Sequence, residues 1–235
     1  MMQNLQTIGF DADDTLWQNE EFFRLTQARF ADLLAPYTGA AHLHARLLAA
    51  ERRNIGQYGF GIKGFVLCMI ETAIEVTDGQ VPASVIAELM AAGRDMLRHP
   101  IHLLPHALDA VRILSESHTL VLITKGDLLD QERKLAQSGL GNYFDGVEIV
   151  SDKTPAVYTA AFTRHGTGPD RAMMVGNSMK SDVVPAITAG SWGIYIPHGL
   201  TWALEHATAP DGHARFRELP DLGAVVTLVK DLEAD

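Results

Sequence analysis

Five short apolar runs punctuate the chain, with a long gap after the first. They lie at Thr7 to Phe10, Thr119 to Ile123, Val147 to Val150, Ala172 to Val175 and Trp192 to Ile196. Continuous apolar runs this short are the pattern of strands buried on both faces. Helix-like periodicity separates the later runs, and such alternation gives an α/β fold with a doubly wound, mostly parallel sheet. The stretch from Gln18 to His99 carries no comparable strand and reads as helical. Its stripes are Phe23, Phe30 and Leu33; Leu43, Leu47 and Leu48; Val66, Ile70 and Ile74; and Ile86, Leu89 and Met90. They are expected to pack a core and carry no catalytic role. The chain is therefore expected to fold as an α/β core domain, residues 1–17 and 100–235, interrupted by a helical domain at 18–99. Pro100 and Pro105 mark the return to the core.

The first run ends abruptly in Asp11-Ala12-Asp13-Asp14-Thr15-Leu16. Open α/β sheets bind their ligands at the carboxyl ends of strands. Asp11 and Asp13, two residues apart on extended chain, can point to one site, whereas Asp14 starts on the other face. Two carboxylates held close repel unless a cation or a shared proton compensates, so the cluster predicts Mg²⁺, acid–base chemistry or both. An acidic turn capping a helix at Thr15 is the plainer alternative.

The formal net charge of −10 lacks the basic surface that a nucleic-acid backbone requires, so no nucleic acid is expected as a partner. No apolar stretch approaches the ~20 residues of a membrane helix, and the N-terminus lacks a signal-peptide pattern, so no membrane partner and a cytoplasmic location are expected. The single cysteine, Cys68, lies among Val66, Leu67, Met69 and Ile70 and reads as a core residue rather than a nucleophile. The histidines show no metal-ligand spacing on one helix. The sequence leaves the oligomeric state open.

Asp-x-Asp-x-Thr-Leu after a hydrophobic strand resembles motif I of the haloacid dehalogenase (HAD) superfamily of hydrolases, most of which are phosphatases. Three further segments extend the resemblance over the chain: Thr124 at the end of the second run, Lys153 after the third, and Gly176-Asn177 leading to Asp182 after the fourth. The resemblance implies a Rossmann-like core and makes the helical insert a C1-type cap. It implies that Asp11 is a nucleophile forming an aspartyl-phosphate, and that Asp13 is first the acid for the leaving alkoxide and then the base for water. Thr124 and the backbone of Lys125 and Gly126 would hold phosphoryl oxygens, and Lys153 would neutralise the nucleophile and the phosphoryl group. Mg²⁺ would be held by Asp11, the Asp13 carbonyl and Asn177, with Asp182 completing or orienting the shell.

The chain departs from the family pattern in several places. Lys125 stands where Asn is common, either assisting phosphate or facing solvent. Asp14 stands where many relatives have Gly and is read as solvated or capping. Thr15 is expected to order the loop through backbone hydrogen bonds. Asn177 replaces an Asp and brings no charge to the metal. Thr154 interrupts the Lys-Pro pair after Lys153, and Lys134 is the rival lysine, set aside because it sits on a helix. Within the cap, the glycine-broken segment Gly56 to Gly64 presents Tyr58 and Lys63 as substrate contacts, a plain interhelical turn being the alternative. The function implied is a Mg²⁺-dependent phosphatase for a small phosphorylated metabolite, with the cap conferring specificity. A 2-haloacid dehalogenase, which needs neither Asp13 nor Mg²⁺, a phosphonatase using Lys63, and a non-catalytic phosphate-binding module are the competing readings.

Overall fold

The computed structural model describes residues 5–234. It divides into two compact units: a core unit of Met1–Gln18, Ile101–Lys125 and Gln131–Asp235, and a helical unit of Asn19–Pro100 with Gly126–Asp130. The boundaries expected from the sequence thus move by one residue on each side of the insert, and a five-residue piece after the second strand joins the helical unit.

The core unit is a six-stranded sheet in the order β3-β2-β1-β4-β5-β6. The strands are β1 (Thr7–Phe10), β2 (Thr119–Lys125), β3 (Gly146–Val150), β4 (Ala172–Gly176), β5 (Trp192–Tyr195) and β6 (Phe216–Glu218), and every pairing is parallel. Alternate residues face opposite ways, so the apolar runs fill two layers at once. Ile8, Phe10, Leu120, Leu122, Met173, Val175 and Ile194 pack with α5 (Ala107–Leu114) and α9 (Gly223–Ala234). On the other face Val121, Ile123 and Met174 pack with α7 (Pro155–Arg164) and α8 (Val184–Thr188) through Tyr158, Phe162 and Ala186. β6 went unforeseen because Phe-Arg-Glu is short, largely polar and at the edge of the sheet, the usual make-up of a protected edge.

β1 lies between β2 and β4, where the strand order reverses. That switch point is where doubly wound sheets open a crevice at their carboxyl ends. The residues just beyond β1 and β4 and at the end of β2 are Asp11, Asn177 and Thr124.

The helical unit is built from α1 (Glu20–Leu34), α2 (Ala40–Tyr58), α3 (Ile62–Val76) and α4 (Ala83–Arg98), with the first residues of α6 (Leu128–Ser138). Its core holds Phe30, Leu34, Leu43, Leu47, Phe65, Met69, Leu89 and Met96. The expected stripe on α3 is displaced. Ile62, Phe65, Cys68, Met69, Thr72 and Ala73 are buried, whereas Val66 and Ile70 are only partly covered and Ile74 is exposed. α3 is apolar nearly all round, so periodicity could not choose its inner face. Met90 on α4 is likewise exposed. Cys68 is buried, and that burial pushes its thiol up to about 11, away from nucleophilic use. No helix among the described residues is long and apolar enough to cross a membrane.

Candidate active site

Asp11 follows directly on β1, its N–H donating to the Val175 carbonyl of the neighbouring strand at 2.9 Å. Lys153 Nζ donates to Asp11 Oδ1 at 2.5 Å and to Asp182 Oδ1 at 2.6 Å. All three side chains are buried, Asp182 completely. Two carboxylates thus share one ammonium away from water. Burial, opposed by the Lys153 charge but reinforced by Asp182, pushes the Asp11 carboxyl from 3.8 up to about 7. The same burial works against the Lys153 charge, yet Asp11 and Asp182 outweigh it and raise that ammonium. Thr154 does not disrupt the placement of this lysine. It is the N-cap of α7, accepting from the Val157 N–H at 3.3 Å, with Pro155 in the first turn. Lys153 is thereby held one residue ahead of a capped helix.

Asp13 has its own cation. Lys134 Nζ reaches its two oxygens at 2.9 and 3.0 Å, Trp17 Nε1 donates to Oδ1 at 2.7 Å, and Gln131 Nε2 donates to Oδ2 at 3.2 Å. Gln131 Nε2 also donates to Thr124 Oγ1 at 2.6 Å. Gln131 and Lys134 are three residues apart on α6 and therefore share a face. That face links the aspartate cluster to the end of β2. The spacing was visible in the sequence, but Lys134 was weighed only as a substitute for Lys153. The structure gives each lysine a different aspartate.

The β4 end supplies the third part of the site. A Cβ at Gly176 would stand 2.2 Å from Asp182 Oδ2, so only glycine lets that carboxylate approach the strand. Asp182 Oδ2 accepts the Ser178 N–H at 2.9 Å while Oδ1 holds Lys153. Both oxygens are therefore engaged, and Asp182, expected among the metal ligands, is placed as the orienting partner of Lys153 and the turn. One terminal atom of the Asn177 amide lies 3.2 Å from Asp11 Oδ2, the Asp13 carbonyl oxygen and Thr15 Oγ1. With nitrogen there, Asn177 donates to these oxygens; with oxygen there, a carboxylate, a main-chain carbonyl and an amide oxygen converge. The second arrangement is an all-oxygen donor set of the kind Mg²⁺ prefers. Among the described residues no trio of His, Cys, Asp and Glu side chains is arranged for a metal. The oxygen set beside Asn177 is of another kind: one carboxylate, a backbone carbonyl and an amide.

Thr15 orders the loop through backbone hydrogen bonds, its N–H donating to the Ala12 carbonyl at 3.3 Å and its hydroxyl accepting the Asn177 N–H at 3.1 Å, and that hydroxyl also donates to Asp11 Oδ2 at 3.1 Å. Other expectations are corrected by geometry. Asp14 is buried, not solvated; it adopts φ +60°, which explains why glycine suits this position, and its Oδ1 lies 3.8 Å from His198 Nδ1. Lys125 neither faces solvent nor stands open to a ligand: its ammonium contacts Ser181 Oγ and Glu205 Oε1, each at 2.7 Å. Gly126, at φ +143°, is where the chain passes into the helical unit. Within that unit the Tyr58 hydroxyl donates to Glu71, and Lys63 Nζ, half exposed, lies 3.6 Å from Asp127 Oδ1. Glu205 and Trp17 were missed altogether. An isolated glutamate in a loop and a tryptophan after an acidic turn leave no periodic or motif signal.

A parallel sheet thus gathers a buried Asp–Lys–Asp cluster at its switch point. A family model for haloacid dehalogenase-like hydrolases matches residues 5–190, and the chain belongs to that family. A haloacid dehalogenase-like family hydrolase from Xanthomonas campestris has a similar structure, at 39% identity and a TM-score of 0.88, with 99% of this chain and 93% of that chain covered. The glyceraldehyde 3-phosphate phosphatase of Methanothermobacter thermautotrophicus is 24% identical over 206 residues, 85% of this chain and 88% of that protein. YfnB of Bacillus subtilis, solved bound to magnesium, shares the fold at 16% identity and a TM-score of 0.66, with 97% and 99% covered.

Proposed function

We propose that this hydrolase is a Mg²⁺-dependent phosphatase that cleaves a small phosphorylated metabolite through an aspartyl-phosphate, an acyl phosphate formed on Asp11. The observation that carries the reading is the pairing of two aspartates, two residues apart, with separate lysines: Asp11 with Lys153 and Asp13 with Lys134. A dehalogenase attacking carbon needs the first aspartate but has no alkoxide for the second to protonate. Likeness to a phosphatase of the family adds support.

In this reading Asp11 attacks phosphorus, the ester bond to the leaving oxygen breaks, and Asp13 delivers a proton to that oxygen. Asp13 then takes a proton from water as it attacks the aspartyl-phosphate, returning Asp11 and releasing phosphate. Lys153, held by Asp11 and Asp182, stabilises charge on the transferring group. Thr124 accepts from Gln131, and its hydroxyl proton makes only a long 3.4 Å contact to the Lys125 carbonyl, so it can turn to a phosphoryl oxygen. Asp11, the Asp13 carbonyl and Asn177 are the residues that would hold Mg²⁺. When bound, the ion offsets the negative charge of carboxylate and phosphate as they approach. In this proposal the helical unit is a cap that closes the site to bulk water.

The test is phosphate release from a panel of sugar phosphates, phosphorylated short acids and nucleoside monophosphates, with Mg²⁺ and with chelator, beside halide release from 2-chloropropionate. Mg²⁺-dependent phosphate release with no halide release supports the reading. Halide release without added metal assigns the dehalogenase activity instead.

A further inference from the structure

We propose that Glu205 is a positioning residue that clamps the carboxyl end of β2 to the turn after β4, setting the spacing between Thr124 and the Asn177–Asp182 segment. Glu205 comes from the loop before β6, 80 residues from Lys125 and 24 from Ser181. Its Oε1 accepts from Lys125 Nζ at 2.7 Å, and its Oε2 accepts from Ser178 Oγ and Ser181 Oγ, each at 2.5 Å. Lys125 Nζ also donates to Ser181 Oγ at 2.7 Å, closing the network. The Glu205 carbonyl accepts the Lys180 N–H at 3.3 Å, and Lys180 Nζ donates to the Leu204 carbonyl at 2.9 Å, so the loop's backbone is fastened to the same turn.

What makes this more than a structural crosslink is which residues it grips. Lys125 adjoins Thr124, Ser178 adjoins Asn177, and Ser181 adjoins Asp182. Every side chain that Glu205 holds is thus the chain neighbour of a site residue. The segment it holds, Met179–Val183, is a π-helical turn. Such single π-helical turns are rare and are found frequently at functional sites. Ser178 Oγ also caps it by accepting the Ser181 N–H at 2.9 Å, and Tyr158 holds it from beneath through the Ser181 carbonyl at 2.9 Å. The side chains of Lys125 and Glu205 are only 10% and 15% exposed, which makes this a largely desolvated ion pair whose two charges depend on each other. Burial works to raise the Glu205 carboxyl, but the Lys125 charge and the hydrogen bonds from Lys125, Ser178 and Ser181 outweigh it and hold the carboxyl below its ordinary value. Lys125 in turn has its charge matched by Glu205, which accounts for a lysine at a position where a neutral side chain would otherwise serve.

The inference rests on the Asp11 centre being the reaction site, and its test separates positioning from mere charge balance. Glu205→Gln keeps the side chain's size and removes its charge. Lys125→Met in the same chain removes the cation that this leaves uncompensated. Amide exchange is followed by mass spectrometry, and kcat and KM are measured with p-nitrophenyl phosphate at saturating Mg²⁺. For Glu205→Gln we expect faster exchange across residues 177–183 with α2 and α3 unchanged, and kcat lower by roughly tenfold or more with KM changed far less, since small misplacements in a site carry penalties of that size. The double variant should regain thermal stability while exchange at 177–183 stays fast and kcat stays low. Recovery of both in the double variant, or an unchanged exchange rate at 177–183 in Glu205→Gln, overturns the proposal. Absence of aryl phosphate turnover in the parent protein would count against the phosphatase reading alone, because the exchange measurement still decides the clamp.

Discussion

The surface of the helical unit and the centre of the core unit handle charge in opposite ways. In the helical unit, arginines pair with acids across the surfaces of neighbouring helices: Arg29 with Glu88 and Asp95, Arg46 with Glu75, and Arg53 with Glu71 and Glu75. The side chains in these pairs are roughly a third to two thirds exposed, from 31% to 67%. In the core unit, Asp11, Lys153 and Asp182 have side-chain exposures of 10%, 1% and 1%. Exposed pairs exchange water contacts for each other at little gain, whereas a buried triad with one cation for two anions gives up solvation that it recovers only in part. A fold has no need of such a triad for stability. It is the kind of stored electrostatic cost that a reaction centre carries so that an incoming cation or phosphoryl group meets a prearranged field.

Removing the proposed nucleophile should break the comparison most sharply. Asp11→Asn is expected to lower turnover by on the order of 10³ or more, since the covalent path closes. Stability should move the other way. The folded metal-free protein holds a proton on Asp11 up to about 7, against 3.8 for the ordinary group, so Asp11 favours folding fully below the lower value and loses that contribution as pH rises through 7. Asparagine does not titrate. With chelator present, Asp11→Asn should therefore melt higher relative to the parent at about pH 8 than at about pH 5. A melting difference that is constant with pH would show that burial does not penalise this carboxylate.

Lys153→Met tests the triad from its cation. Asp182 then lies buried without its counter-charge, and we expect a loss of about 3–5 kcal/mol by urea unfolding, with activity falling beyond detection. Asn177→Asp adds a negative charge beside Asp11 Oδ2 and the Asp13 carbonyl, so the Mg²⁺ concentration for half-maximal activity should fall several-fold. A titration by calorimetry reads the same shift without turnover, and an unchanged requirement would move Asn177 away from the metal. The smallest effect is expected in the helical unit, where Arg29→Ala should cost less than about 1 kcal/mol and leave kcat unaltered. A loss matching that of Lys153→Met would erase the distinction between the units.

How much of this was legible depends on whether neighbours in sequence or in space define each feature. The parallel sheet was readable because runs such as Leu120-Val121-Leu122-Ile123 are apolar on both faces, which only a covered strand tolerates. Asp11, Thr124 and Lys153 were readable as strand-end or post-strand residues, and the structure brings Asp11 and Lys153 together. The pairing of Asp13 with Lys134 was not, because its link is made by α6 packing and not by proximity to a strand end. The Glu205 network lay further out of reach, since it joins segments 80 and 24 residues apart through side chains in no recognisable pattern. The inner face of α3 was hidden by excess apolarity, and Thr154 looked like an interruption until its cap to Val157 could be seen.

In the proposed reaction Asp11 becomes phosphorylated and Asp13 serves the second step. The most direct measurement is the intact mass of Asp13→Asn, acid-quenched after mixing with p-nitrophenyl phosphate and Mg²⁺, followed by peptide mapping. Release of the first product with slow hydrolysis should leave one added phosphoryl group on the peptide containing Asp11, and no such group on Asp11→Asn treated alike. Phosphorylation at another residue, or aryl phosphate turnover in Asp11→Asn within tenfold of the parent, would rule out Asp11 as the phosphorylated nucleophile.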